Sequence, residues 1–138
     1  DEIPGKDLYI PVKDYKGNGK TILVVDDVAS QRKISCKMPN TLGYKARAVS
    51  SGEEAIAYLK KNSADVLLLD MIMDPGINGR ETYERIIEIH PNQKAIIVSG
   101  FAETDEVKQA KKLGAGRYIK KPFVLEKIGF AIKEELRK

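Results

Sequence analysis

The chain has 138 residues, 42% of them apolar and 32% charged, enough for one domain with a real core and with little room for a second. Its 24 Lys and Arg against 20 Asp and Glu leave a net charge of +4, a mild excess that by itself names no nucleic-acid partner. The single Cys36 excludes an internal disulfide and a cysteine zinc site, and no apolar run approaches the roughly 18 residues that span a bilayer; without a basic-then-apolar leader after Asp1, a cytoplasmic location with no membrane contact by this segment is expected, with room for a membrane anchor elsewhere in a parent protein.

Residues 1 to 20 carry Pro4, Gly5, Pro11, Gly17 and Gly19 with four acids balanced by four lysines, and show no helical period. They are expected to form an extension or interdomain linker, with residues 21 to 138 as the folded domain. Within the extension, Leu8-Tyr9-Ile10-Pro11-Val12 reads as a short strand that needs a partner.

From Thr21 onward short apolar runs alternate with amphipathic stretches, the pattern of strand and helix units on a parallel α/β sheet. Strands are expected at Thr21–Val25, Lys45–Val49, Val66–Leu69, Ala95–Val98 and Arg117–Ile119. The first, third and fourth are nearly continuous apolar runs, as central strands covered on both faces require, whereas Arg47 and Arg117 mark the second and fifth as edges. Ser51 and Asn78 each stand three residues before a Glu and are expected to cap the second and third helices. Apolar positions recur at helical spacing: Ala55, Ile56 and Leu59; Tyr83, Ile86 and Ile87; Val107, Ala110 and Leu113; Leu125, Ile128, Ile132 and Leu136. These faces are expected to cover the sheet. Gly43 and Gly114 read as helix ends before a strand. Pro39 conflicts with the first helix, because proline inside a helix costs about 3 kcal/mol. The helix is expected to stop or bend near Met38, with Leu42 and Tyr44 reaching the core from a looser segment.

In an open parallel sheet, ligands bind beyond the carboxyl ends of the strands. The first strand ends in Asp26-Asp27, the third in Asp70, the fourth in Ser99 and the fifth in Lys120-Lys121-Pro122. Each alone reads as a turn, a cap or a surface residue. Together they bring three carboxylates to one edge, where each pair repels by roughly 1 to 4 kcal/mol. A divalent cation relieves that repulsion, and oxygen ligands without His or Cys favour Mg2+. A lysine and a hydroxyl complete a site for phosphoryl transfer, with Asp70 as the nucleophile that becomes an aspartyl phosphate.

Residues 20 to 138 resemble the receiver domains of two-component response regulators. The resemblance is carried by Ile22-Leu23-Val24-Val25-Asp26-Asp27, Ser51-Gly52-Glu53-Glu54-Ala55, Leu67-Leu68-Leu69-Asp70-Met71, Val98-Ser99-Gly100 and Tyr118-Ile119-Lys120-Lys121-Pro122-Phe123. It implies a flavodoxin-like, five-stranded parallel sheet of order 2-1-3-4-5 with helices on both faces. It implies further that Asp70 accepts a phosphoryl group from a phosphohistidine on a sensor histidine kinase or histidine phosphotransfer domain. Asp26, Asp27, Asp70 and the backbone carbonyl of Ile72 would hold Mg2+. Lys121, and not Lys120, would contact the phosphoryl group, with a cis bond to Pro122. Ser99 and Tyr118 match the family's switch pair, which would alter the surface of the fourth helix, fifth strand and fifth helix for a downstream protein or a second copy.

This sequence departs from the family in one extra residue, taken as Asp74, between the acceptor and Gly79, and in Ile72 and Phe101, neither of which can orient a water. Slow intrinsic loss of the phosphoryl group is therefore expected. His90, before Pro91, reads as a helix-end residue. The nine basic and three acidic residues from Lys111 to Lys138 read as a solvated face or a docking surface for an acidic partner, with no direct nucleic-acid binding. Two other functions compete. A haloacid-dehalogenase-type phosphatase needs Asp-x-Asp, but Val28 stands second after Asp26; a receiver-like module binds partners without phosphorylation. The segment Leu8–Val12 resembles the closing strand of a histidine kinase ATP-binding domain, which points to the receiver of a hybrid sensor kinase.

Overall fold

The computed structural model describes residues 19–73, 76–100, 103–122 and 124–138. Five strands, β1 (Thr21–Val25), β2 (Lys45–Val49), β3 (Val66–Asp70), β4 (Ala95–Ser99) and β5 (Tyr118–Lys120), alternate with α1 (Ala29–Thr41), α2 (Gly52–Lys61), α3 (Gly79–Ile89), α4 (Asp105–Lys112) and α5 (Leu125–Leu136). All neighbours pair in parallel, in the order β2-β1-β3-β4-β5, so the chain folds as the flavodoxin-like sheet that its residues imply. Leu8–Val12, Asp74, Phe101 and Phe123 lie outside the described residues.

The sheet is central because β1, β3 and β4 are apolar on both faces. Leu23, Val25, Leu67, Leu69 and Ile97 pack with Ala55 and Leu59 of α2, Tyr83 and Ile86 of α3, and Val107 and Ala110 of α4. Ile22, Val24, Val66, Leu68, Ile96 and Val98 pack on the other face with Ile128, Ala131 and Ile132 of α5. Each fully buried aliphatic side chain contributes on the order of 2 kcal/mol. Ser51 accepts from the Glu54 N–H, and Asn78 and Glu81 form a reciprocal capping box, so the second and third helices start where the carboxamide and hydroxyl acceptors stand. Gly43 and Gly114 adopt positive φ, 92° and 118°, before β2 and β5.

Three expectations are corrected. The first helix continues through Pro39 to Thr41: only two helical residues follow the missing donor, and the Leu42 N–H still bonds back to the Met38 carbonyl at 3.3 Å. The Leu42 and Tyr44 N–H groups both bond to the Pro39 carbonyl, at 3.0 Å each, so these two side chains enter the core from a tight helix end and not from a looser segment. Leu113 terminates α4 and is exposed. The fifth strand starts at Tyr118, one residue later than its pattern suggests; Arg117 precedes it, and its guanidinium lies over the Phe130 ring at 5.1 Å.

Candidate functional site

The register of the sheet builds the site. Val25 pairs with Leu69, so one further step sets Asp26 beside Asp70; Asp70 pairs with Val98, and Ser99 with Lys120. Asp26 is buried, Asp27 half-buried and Asp70 buried, and one carboxylate oxygen from each lies within 4.8 Å of the others. Lys121 enters from the end of β5: its Nζ donates to Asp26 Oδ2 at 2.6 Å and stands 3.6 Å from Asp70 Oδ2. Lys120, by contrast, is exposed. The Lys121–Pro122 bond is cis, and the Lys121 N–H bonds to the Ser99 carbonyl at 2.7 Å. Ser99 is buried at the end of β4.

The second oxygen of Asp26 accepts from the Val28 N–H at 2.9 Å, the short-range turn in which an aspartate caps its own loop. Arg32, in the first half of α1, donates to the Asp26 carbonyl at 2.9 Å and ties that turn to the helix. The Ile72 N–H faces Asp70 Oδ1 at 3.5 Å, which brings the Ile72 backbone to the border of the acceptor while its side chain stays exposed. Tyr118 is half-buried, and its hydroxyl has no hydrogen-bond partner among the described residues.

Burial pushes the Asp70 carboxyl up to about 6, with Lys121 pulling it down and the charges of Asp26 and Asp27 adding to the rise. Three acids and one lysine leave the site short of positive charge. The donor set fits a hard divalent cation: every candidate ligand atom is oxygen, and neither nitrogen nor sulfur donors stand in the cluster.

The loop between β3 and α3 is fastened on both sides. Glu53 of α2 accepts from the Ile77 N–H at 3.2 Å, and Gly79 N–H bonds to the Met71 carbonyl at 3.0 Å. A Cβ on Gly79 would meet the Asp70 carbonyl oxygen at 2.5 Å and Met71 Cα at 2.7 Å. Backbone at the end of a central strand yields little, so Gly79→Ala is expected to destabilise the fold by about 1–3 kcal/mol and to displace the acceptor. A urea midpoint equal to that of the wild type would show that the loop accommodates the methyl group.

Sequence reasoning missed Arg32, Glu53 and Glu106, whose contacts join separate elements. His90 ends α3, where its Nε2 bonds to the Leu59 carbonyl at 2.7 Å and therefore carries the proton in that contact. No helix among the described residues is long and apolar enough to cross a membrane.

The family model described as the response regulator receiver domain matches residues 22–133. Sporulation initiation phosphotransferase F of Bacillus subtilis is 34% identical over 115 residues, 83% of this chain and 92% of that protein. The autoinducer 1 sensor kinase/phosphatase LuxN of Vibrio harveyi is 32% identical over 128 residues, 93% of this chain but 15% of that protein. Among solved structures, a receiver domain protein from Methanospirillum hungatei superposes with a TM-score of 0.80 at 27% identity, over 86% of this chain and 94% of the other.

Proposed function

Because this chain belongs to the response regulator receiver domain family, whose members are regulatory phosphoacceptor domains of two-component signalling, we propose that it is a switch thrown by phosphorylation of Asp70. The observation that carries this reading is the meeting of the Asp26, Asp27 and Asp70 carboxylates within 4.8 Å, with the Lys121 ammonium 2.6 Å from the first and 3.6 Å from the last. The donor is a phosphohistidine on a sensor histidine kinase or histidine phosphotransfer domain. A carboxylate oxygen of Asp70 attacks phosphorus, the phosphorus–oxygen bond forms as the phosphorus–nitrogen bond breaks, and the imidazole leaves with the electron pair.

Asp26, Asp27, Asp70 and the Ile72 carbonyl would hold Mg2+, which supplies the positive charge that offsets repulsion between the carboxylates and the incoming phosphoryl oxygens. Lys121 balances charge on the transferred group, and Ser99 donates its hydroxyl to one of the phosphoryl oxygens. Movement of Ser99 leaves room for the Tyr118 ring, and the surface of α4, β5 and α5 changes for a downstream protein or a second copy. The match to a small part of a sensor kinase supports a further reading, in which this domain is the receiver of a hybrid kinase.

Incubation with Mg2+ and acetyl phosphate, followed by intact mass measurement, tests the proposal. A single phosphoryl adduct is expected in the wild type and none in Asp70→Asn. The adduct should decay slowly, since neither Ile72 nor Phe101 can orient a water. Turnover of acetyl phosphate without an adduct would point to a phosphatase, and no reaction at all to a binding module that works unphosphorylated.

A further inference from the structure

Glu106 stands in the first turn of α4, and its carboxylate crosses to the start of α3. One oxygen accepts from Arg80 Nε at 2.6 Å and from Asn78 Nδ2 at 3.3 Å. Arg80 also pairs with Glu84, which holds the guanidinium from a second side. Asn78 is used at both ends of its amide, because its Oδ1 accepts from the Glu81 N–H at 2.8 Å as the cap of α3. Next to Asn78, the Gly79 N–H bonds to the carbonyl of Met71, the residue after the acceptor. A continuous run of hydrogen bonds and backbone thus joins the end of β3 to the first turn of α4. The Arg80 and Glu106 side chains are 22% and 41% exposed, so the pair is partly withdrawn from solvent.

Beneath α4 a second group works in the opposite direction. Tyr118 packs against the cluster to which Val107 and Ala110 of α4 contribute, and its hydroxyl is buried with no partner among the described residues. A buried hydroxyl without a partner is destabilising, so a packing that offers it water or an acceptor gains on that account. In the packing seen here, α4 gains at Glu106 and loses at Tyr118.

We infer that the Asn78–Arg80–Glu106 contact is a latch that holds α4 in this packing and thereby restrains the response of Asp70 to a phosphoryl group. The inference rests on Asp70 being the acceptor. A contact made in only one of two packings lowers the apparent affinity of whatever ligand selects the other. Glu106 and Arg80 are positioning residues: they touch no reacting atom and act through the placement of α4.

Beryllofluoride with Mg2+, a non-covalent mimic of a phosphoryl group on a carboxylate, is the probe. It is titrated calorimetrically into the wild type, Arg80→Met, Glu106→Ala and the double variant. Each single variant should bind about two- to fivefold more tightly, the range that a partly exposed charge pair supports. The double variant should bind no more tightly than the better single one, because the same contact is removed in all three. Tyr118→Phe takes the orphaned hydroxyl out of the packing seen here and should bind more weakly than the wild type. A merely structural role for the pair lowers the folded fraction and cannot raise affinity. Unchanged or weaker binding in the single variants, additive gains in the double, or tighter binding by Tyr118→Phe overturns the latch. A wild type that binds no better than Asp70→Asn overturns the acceptor assignment first, and the latch with it.

Discussion

Replacing Lys121 by methionine is expected to destabilise the metal-free protein by about 3–5 kcal/mol, to tighten its hold on Mg2+ and to suppress the phosphoryl adduct. The Asp26 carboxylate is 1% exposed, and the Lys121 ammonium at 2.6 Å is the one cation paired with it among the described residues. Methionine keeps the apolar stem of the side chain and removes the charge, which leaves a buried anion beside two others. Protonation of one carboxylate relieves that penalty, so the difference from the wild type should shrink as the pH falls. The effect on the metal has the opposite sign. Lys121 sits on an oxygen that a cation needs, and in the variant nothing competes for it, so saturating Mg2+ should stabilise Lys121→Met more than the wild type. Urea unfolding in chelator and in Mg2+ measures both effects, and intact mass after acetyl phosphate treatment measures the third. Equal stability in chelator would mean that the ion pair contributes nothing; weaker Mg2+ binding would mean that Lys121 shapes the cation site and does not compete for it.

The central strands of this fold were legible because their side chains are apolar on both faces, and the ends of β1 and β3 because charge begins abruptly at Asp26 and Asp70. The helix starts at Ser51 and Asn78 were legible for a local reason, since a capping side chain and its Glu are three residues apart. Strand order is not local: periodicity cannot say that β1 lies between β2 and β3, and only the resemblance to a family supplied it. Nor does periodicity separate Lys120 from Lys121: the resemblance picked Lys121, and the sheet leaves Lys120 exposed and carries Lys121 to Asp26 and Asp70. Pro39 was misjudged because one missing donor was expected to end the helix, whereas only two helical residues follow it and the Leu42 N–H beyond them still reaches the Met38 and Pro39 carbonyls. The contacts of Arg32, Glu53 and Glu106 were out of reach for another reason. Each is a surface-type residue whose partner is chosen only when two elements dock, as Glu106 meets Arg80 across 26 positions of chain.

Asp70→Asn is expected to abolish the adduct and, without metal, to stabilise the protein at neutral pH. Burial holds the Asp70 carboxyl at about 6 in the folded chain, against 3.8 for the ordinary group. Between those values the native state keeps a proton that the unfolded state has released. The wild type should therefore lose stability as the pH rises from about 4 to about 6 and level off above it. With allowance for solvent screening at the edge of the sheet, that loss is on the order of 1–3 kcal/mol. Asparagine has no proton to lose in this range, so the variant lacks that slope. The two proteins should be nearly equal in stability near pH 4 and furthest apart above pH 6. Mg2+ should then reverse the order, because it stabilises the wild type through an anionic oxygen that the amide does not offer. Chemical unfolding at several pH values, with and without Mg2+, resolves each part. A constant difference from pH 4 to 7 would mean that the Asp70 carboxyl titrates as though exposed, and the site would then lack the buried, charge-crowded character from which both its cation and its reactivity follow.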